Sequence, residues 1–271
     1  MILLRQILCL VAVSVFPAAP IGADEMEDVG DTLALPTDQI TSSLRQTAMP
    51  ELSEGRLART LTRYYHEALG GPDQWDGISS LKMSGSLKLE QGEFELMILK
   101  KKPVSLKMTF RNNEREFVLG YDGETAWRTT HHAEGTETEL MGETETRIFI
   151  HKAMFSDYLT YPLASGKKIE YVETASVEGN ACHHVRVTLD NDYQVDYFLD
   201  LVSFLAVQII NTDLRTGSTE RNVYKNYDRE SGMPVARHIE SFEDGEWVST
   251  TIFNKIKVNA GLVPWMFEKP R

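Results

Sequence analysis

Side chains able to run chemistry near neutral pH are few and badly spaced in this chain. It holds seven histidines and two cysteines. His131-His132 lies in a polar stretch, and His183-His184 follows Cys182 at the start of a strand-like run. Cysteine beside two histidines suggests zinc, but adjacent residues on a strand point to opposite faces, and spaced ligand pairs are missing. The reading is therefore a strand edge with ordinary polar residues. Glu134, Glu137, Glu139, Glu143 and Glu145 crowd together as a charged run does on a solvated face. No Gly-x-Ser-x-Gly and no Gly-x-Gly-x-x-Gly occurs. The sequence therefore assigns no catalytic residue, no metal and no cofactor, and an enzyme is not expected.

What remains is apolar patterning. From Leu81 to Trp127 the chain reads as five short segments. Leu81, Met83, Leu87 and Leu89 alternate with polar residues, and Phe94, Leu96 and Ile98 follow in step. Then come Leu106, Met108 and Phe110; Phe117, Leu119 and Tyr121; and Ala126-Trp127. Gln91-Gly92, Pro103, Asn112-Asn113 and Asp122-Gly123 separate them, a pattern of antiparallel strands with one apolar face. Asp122-Gly123 suits a two-residue hairpin, since both positions accept positive φ. That face fits either the packed core of a sandwich or the lining of a cavity for an apolar ligand. For the cavity, the candidate lining is Met83, Leu87, Phe94, Leu96, Ile98, Met108, Phe110, Phe149, Met154 and Phe155.

The period changes twice. Ser53 to Leu69 carries Leu57, Leu61, Tyr64, Tyr65, Ala68 and Leu69 on one stripe, so a helix is predicted, capped by Ser53 and stopped by Gly70-Gly71-Pro72. Asp73–Gly77 is read as one further turn, with Trp75 and Ile78 inward. His131–Leu140 reads as a polar loop. Glu143 to Leu159 again shows helical spacing, through Ile148, Phe149, Ala153, Met154, Phe155 and Leu159. A helix inserted among strands must bury its stripe, and the open sheet face is the available place. Strands resume at Lys168, giving about eleven in all, and Pro264-Trp265-Met266-Phe267 is an aromatic tail suited to pinning the C-terminus.

Residues 1–23 have the form of a secretory signal: Arg5, an apolar run from Ile7 to Phe16, then small residues up to Ala23. Cys9 reads as an apolar filler of that run, which leaves Cys182 alone and no internal disulfide. Residues 24–52 read as a flexible acidic leader, and 53–271 as the folded domain. Losing residues 1–23 removes Arg5 alone, so the net charge moves from −12 to −13. So acidic a chain is a poor partner for nucleic acid. Lys100-Lys101-Lys102 is the one basic run, at a strand end before Pro103, and reads as a solvated turn.

The order of parts resembles the outer-membrane lipoprotein-sorting proteins related to the periplasmic carrier LolA. The likeness rests on Ala68-Leu69-Gly70-Gly71, on Ile78-Ser79-Ser80-Leu81-Lys82-Met83-Ser84-Gly85, on Lys102-Pro103 and on Tyr121-Asp122-Gly123-Glu124-Thr125-Ala126-Trp127. Further on it rests on Val177-Glu178-Gly179-Asn180-Ala181, Tyr197-Phe198-Leu199-Asp200 and Gly232-Met233-Pro234, and it spans most of residues 55–268. The resemblance implies a mainly β protein with α-helices: an open antiparallel half-barrel whose helices cover its concave face. It implies a monomeric periplasmic carrier of lipid or lipoprotein acyl chains, working with inner- and outer-membrane sorting proteins. The alternative is a lipid-sensing or protein-binding regulatory module that transports nothing.

Overall fold

The computed structural model describes residues 49–71, 77–155, 157–159 and 167–270. The expected signal, most of the leader, and Trp75 lie outside them. Helix α1 spans Met49–Arg63 and runs on as a π-helical turn over Tyr64–Ala68. It starts four residues before the expected Ser53, so Ser53 lies within the helix and not at its first position. Tyr64, Ala68 and Leu69 of the stripe are buried, and Ile78 lies inward as expected.

Thirteen strands follow, against the roughly eleven expected. They are β1 Ser80–Leu89, β2 Gly92–Lys101, β3 Ser105–Arg111, β4 Glu116–Tyr121, β5 Ala126–His132 and β6 Gly135–Leu140. After helix α2, Glu143–Ala153, come β7 Lys167–Val177, β8 Asn180–Leu189, β9 Tyr193–Asp200, β10 Ala206–Asp213, β11 Thr219–Glu230, β12 Met233–Glu243 and β13 Glu246–Val258. They form one antiparallel sheet in the order β6-β5-β4-β3-β2-β1-β13-β12-β11-β10-β9-β8-β7, so β6 and β7 are open edges. The predicted loop 131–140 is in fact the end of β5 and the whole of β6. Strand β6, Gly-Thr-Glu-Thr-Glu-Leu, is largely exposed and has no apolar face to betray it. Helix α2 ends at Ala153, so Met154 and Phe155 follow the helix; the expected extension to Leu159 is not made.

The sheet curls tightly. On α2, Glu145 binds Arg128 of β5 at 2.7 Å and Arg147 binds Asp213 of β10 at 2.7 Å. Those strands stand eight steps apart in the sheet. In a flat sheet eight steps of about 4.8 Å would put about 38 Å between them, several times what two neighbouring side chains can span. The same closure shows in the core, where residues of β1–β5 and of β8–β13 fall in one continuous cluster. A bulge helps: between β1 and β13 the register shifts at Ser84/Gly85, where a Cβ on Gly85 would stand 1.8 Å from the Ile252 carbonyl oxygen. The result is the open half-barrel with covering helices.

The convex side has a second, smaller core of Leu99, Leu262 and Phe267. Trp127 Nε1 donates to the Phe267 carbonyl at 2.9 Å, and both residues are fully buried. The tail is pinned as expected, with Phe267 as the anchor while Trp265 stays exposed. Gly120 makes room for Trp127, since a Cβ there would lie 2.2 Å from the indole.

Candidate functional site

The concave face is built by alternation. Phe94, Leu96, Ile98 and Lys100 succeed one another on one side of β2, opposite Leu87, Gly85, Met83 and Leu81 of β1. Met108 and Phe110 of β3 pair with Ile98 and Leu96. Phe149 of α2 and Phe155 beyond it close over them. Nine of the ten expected lining residues (Met83, Leu87, Phe94, Leu96, Ile98, Met108, Phe110, Phe149 and Phe155) therefore meet in one buried cluster. Met154 is half-buried, and its role is played by its backbone. In this state the side chains pack on one another; Phe94 also borders a polar surface hollow of about 280 Å³ with Ser86, Glu93 and Arg111.

Sequence reasoning drew its lining from one half of the face. The other half is furnished by Val185, Val187, Tyr193, Val195, Tyr197, Leu199, Ile209, Tyr224 and Ile239, all buried in the same cluster. It is richer in tyrosine, and burial pushes the phenols of Tyr193, Tyr197 and Tyr224's neighbour Tyr227 well above their ordinary range. Tyr64 donates to Asp157, and the Tyr158 backbone N–H donates to the Tyr197 hydroxyl at 3.1 Å.

A polar row also crosses this face. Lys152 of α2 donates to both carboxylate oxygens of Glu220 at 2.8 and 2.6 Å. Asn222 donates to Glu220 at 3.1 Å, and Ser241 donates to Asn222 at 2.6 Å. Register places Ser249 beside Ser241, and Thr251 between Ile239 and Leu87. Both hydroxyls are fully buried and meet no hydrogen-bond partner among the described residues. Alternation alone could not reveal this row, because a buried polar residue reads like a solvated one.

Helix α2 is thus a cover held by discrete polar ties. Glu145–Arg128 fastens one end and Arg147–Asp213 the middle. Lys152–Glu220 fastens the C-terminal turn, and Lys100 Nζ donates to the Met154 carbonyl at 2.8 Å just beyond. Lys100 was expected in a solvated turn. Instead Lys101 ends β2, the Lys102 ammonium lies over the Phe155 ring at 5.6 Å, and Lys100 is buried on the concave side. Burial, with Lys152 nearby, lowers its pKa to about 7. His151 stacks face to face on Tyr193 at 3.6 Å, and burial, then Arg147 and Lys152, lowers it to about 3, so it is neutral.

The cysteine–histidine group makes no joint site. His183 stacks on Phe204, whereas His184 stacks on Phe198 and lies 2.6 Å from Asp196, so the two rings use opposite faces. Cys182 is a buried free thiol, pushed up to about 11 by burial and then by Asp200. Among the described residues no group of three or more His, Cys, Asp or Glu side chains could hold a metal ion.

With that geometry in hand, solved structures place the architecture. A DUF1329 family protein from Desulfovibrio piger matches with a TM-score of 0.55 at 10% identity, over 79% of this chain and 96% of its own. A LolA superfamily protein from Nitrosomonas europaea matches with a TM-score of 0.51 at 8% identity, over 80% of this chain and 98% of its own. The fold is LolA-like. A domain assigned to outer membrane lipoprotein sorting in Vibrio parahaemolyticus agrees, with a TM-score of 0.50 at 12% identity, over 80% of this chain and 97% of its own. At such identities the likeness is one of fold. No family model and no curated protein matches the sequence. Among the described residues no helix is long and apolar enough to cross a membrane.

Proposed function

We propose that this LolA-like chain is a periplasmic carrier that takes acyl chains of lipids or lipoproteins between its concave face and α2, for delivery toward the outer membrane. The observation that carries the reading is a single apolar cluster covered by a helix whose ties to the sheet are ionic and separable. Entry would exchange like for like: Phe149, Ala153 and Phe155 leave the apolar face and a hydrocarbon chain replaces them. Burying about 14 methylenes at about 0.8 kcal/mol each is worth about 10 kcal/mol before ordering costs, to set against the burial and the ties that the cover gives up. Met83 and Met108 adapt to variable chain shapes. The signal-like pattern of residues 1–23 and the lipoprotein-sorting description of the Vibrio parahaemolyticus domain support the compartment and the route.

Native mass spectrometry of protein drawn from its own envelope is the direct test, and one bound acylated species is expected. In vitro, delipidated protein should bind a fluorescent fatty-acid probe, and Phe149→Glu should weaken that by at least tenfold while circular dichroism stays unchanged. Absence of probe binding by wild type, or unchanged binding by Phe149→Glu, would sink the reading. The filling of the concave face by the chain's own side chains favours a second reading, a lipid-sensing or protein-binding module. A carrier extracts lipoprotein from one membrane and releases it at another; a module binds and stays.

A further inference from the structure

A second candidate site lies away from the cover. Arg56, Arg59 and Arg63 recur at three and four residues on α1, so they form one stripe. That stripe borders an open groove of about 350 Å³ between α1 and the β7–β8 edge, completed by Thr60, Thr174, His183 and Phe204. In a chain of net charge −12, three guanidinium groups share one small cleft. Like charges at such spacing repel. Glu67 answers Arg63 at 2.8 Å, and Asp200 lies near His183; Arg59 has neither ion pair nor hydrogen bond among the described residues.

The groove is also shaped. The Arg63 guanidinium stacks over Phe204 at 4.6 Å, and that of Arg56 over Tyr171 at 5.5 Å. Stacking uses the guanidinium face and leaves its N–H edge for an oxyanion, which a planar fork grips in two places. His183 is held in turn, stacked on Phe204 at 5.2 Å, with its Nδ1 3.1 Å from the Tyr171 hydroxyl. Thr60 and Thr174 add hydroxyls on opposite walls. Phe204 is nearly fully buried and belongs to the main apolar cluster, so the groove is backed by the core.

We propose that this groove binds a phosphate group, gripped by the edges of Arg56, Arg59 and Arg63. The chemistry is shared by free phosphate esters and phospholipid headgroups, and the two sources are separable. The proposal does not depend on the carrier reading.

The experiment titrates the full mature chain at about 0.15 M ionic strength, where unspecific attraction is largely screened. Calorimetry with inorganic phosphate and glycerol 3-phosphate forms one arm. Flotation with phosphatidylglycerol vesicles against phosphatidylcholine vesicles forms the other. Arg56→Gln/Arg59→Gln is the variant; glutamine keeps helix propensity, and the Arg63–Glu67 pair is spared. Saturable binding of soluble phosphates that the variant weakens at least tenfold assigns free esters. Binding of phosphatidylglycerol vesicles alone, lost in the variant, assigns lipid headgroups. No binding in either arm, or binding the variant retains in full, overturns the proposal. Should the double variant misfold, Arg59→Gln alone is read, with a loss of at least threefold expected and no loss overturning. Loss of phosphate binding with fatty-acid probe binding intact isolates this groove from the concave face.

Discussion

Replacing Lys152 tests both the packing and the cover. Its ammonium sits against both oxygens of Glu220, and the two side chains are 4% and 10% exposed. Lys152→Met leaves the Glu220 carboxylate buried, with the Asn222 amide as its remaining side-chain donor among the described residues. Breaking one half of a buried pair costs about 3–5 kcal/mol. For a domain of this size that lowers Tm by about 6–20 °C, at about 2–4 °C per kcal/mol. Lys152→Met/Glu220→Leu removes both charges and should recover most of the loss, because apolar replacement of a buried pair is often neutral or better. The assay is urea unfolding at pH 5 and pH 7.5, paired with the rate of fatty-acid probe uptake, which the doubly apolar cover should alter. A Lys152→Met deficit below about 0.5 kcal/mol at both pH values would show that the pair is solvated and that α2 does not close as described.

Lys100 gives a second signature. Its pKa falls to about 7 in the fold from an ordinary 10.5, so between those values the unfolded state binds more protons and stability rises with pH. Lys100→Met should abolish that rise, of up to about 1.4 kcal/mol per pH unit; urea titrations from pH 6.5 to 9.5 check it, and parallel slopes would count against a buried amine. Phe267→Ala should cost about 3–5 kcal/mol by emptying the convex core, and it should shift the fluorescence of Trp127, which is bonded to that residue's carbonyl; an unchanged Tm would show the tail to be unpinned. Gly120→Ala must displace the Trp127 indole, with about 1–3 kcal/mol expected in chemical denaturation.

The first half of the sheet was legible because its alternation is clean: Phe94, Leu96 and Ile98 on β2 fall with Met108 and Phe110 on β3 as predicted. The inserted helix was legible from Phe149 and Ala153, both fully buried. Its end was not, since Met154, Phe155 and Leu159 keep the helical spacing after the helix has stopped. Strand β6 was missed because both its faces are polar, and strand propensity without burial leaves no periodic mark. The polar row was missed for the opposite reason. Glu220, Asn222, Ser241, Ser249 and Thr251 occupy core positions in residue types that alternation assigns to solvent, and only tertiary structure shows what covers them. The arginine stripe of α1 drew no expectation from the sequence, because only the fold brings His183 of β8 and Phe204 beside it.

The two halves of the concave face differ in a way that bears on how it could open. On the β1–β4 side, Phe149 and Ala153 share one buried cluster with aliphatic, Met and Phe side chains, which tolerate sliding and refilling. On β10 and β11 the contacts include Arg147–Asp213 and Lys152–Glu220, which have one good geometry and a high cost once parted in an apolar setting. Glu145–Arg128 on the β5 side is more exposed, with the two side chains 19% and 22% accessible, and Arg128 is shared with Glu139. Exposed pairs are worth little and part easily. The β2–β3 side is fastened too, because Lys100 Nζ donates to the Met154 carbonyl at 2.8 Å and the Phe155 N–H to the Pro103 carbonyl at 3.2 Å. The β5 side, where Glu145–Arg128 is the most exposed of the ion pairs, is therefore the least firmly held part of the cover.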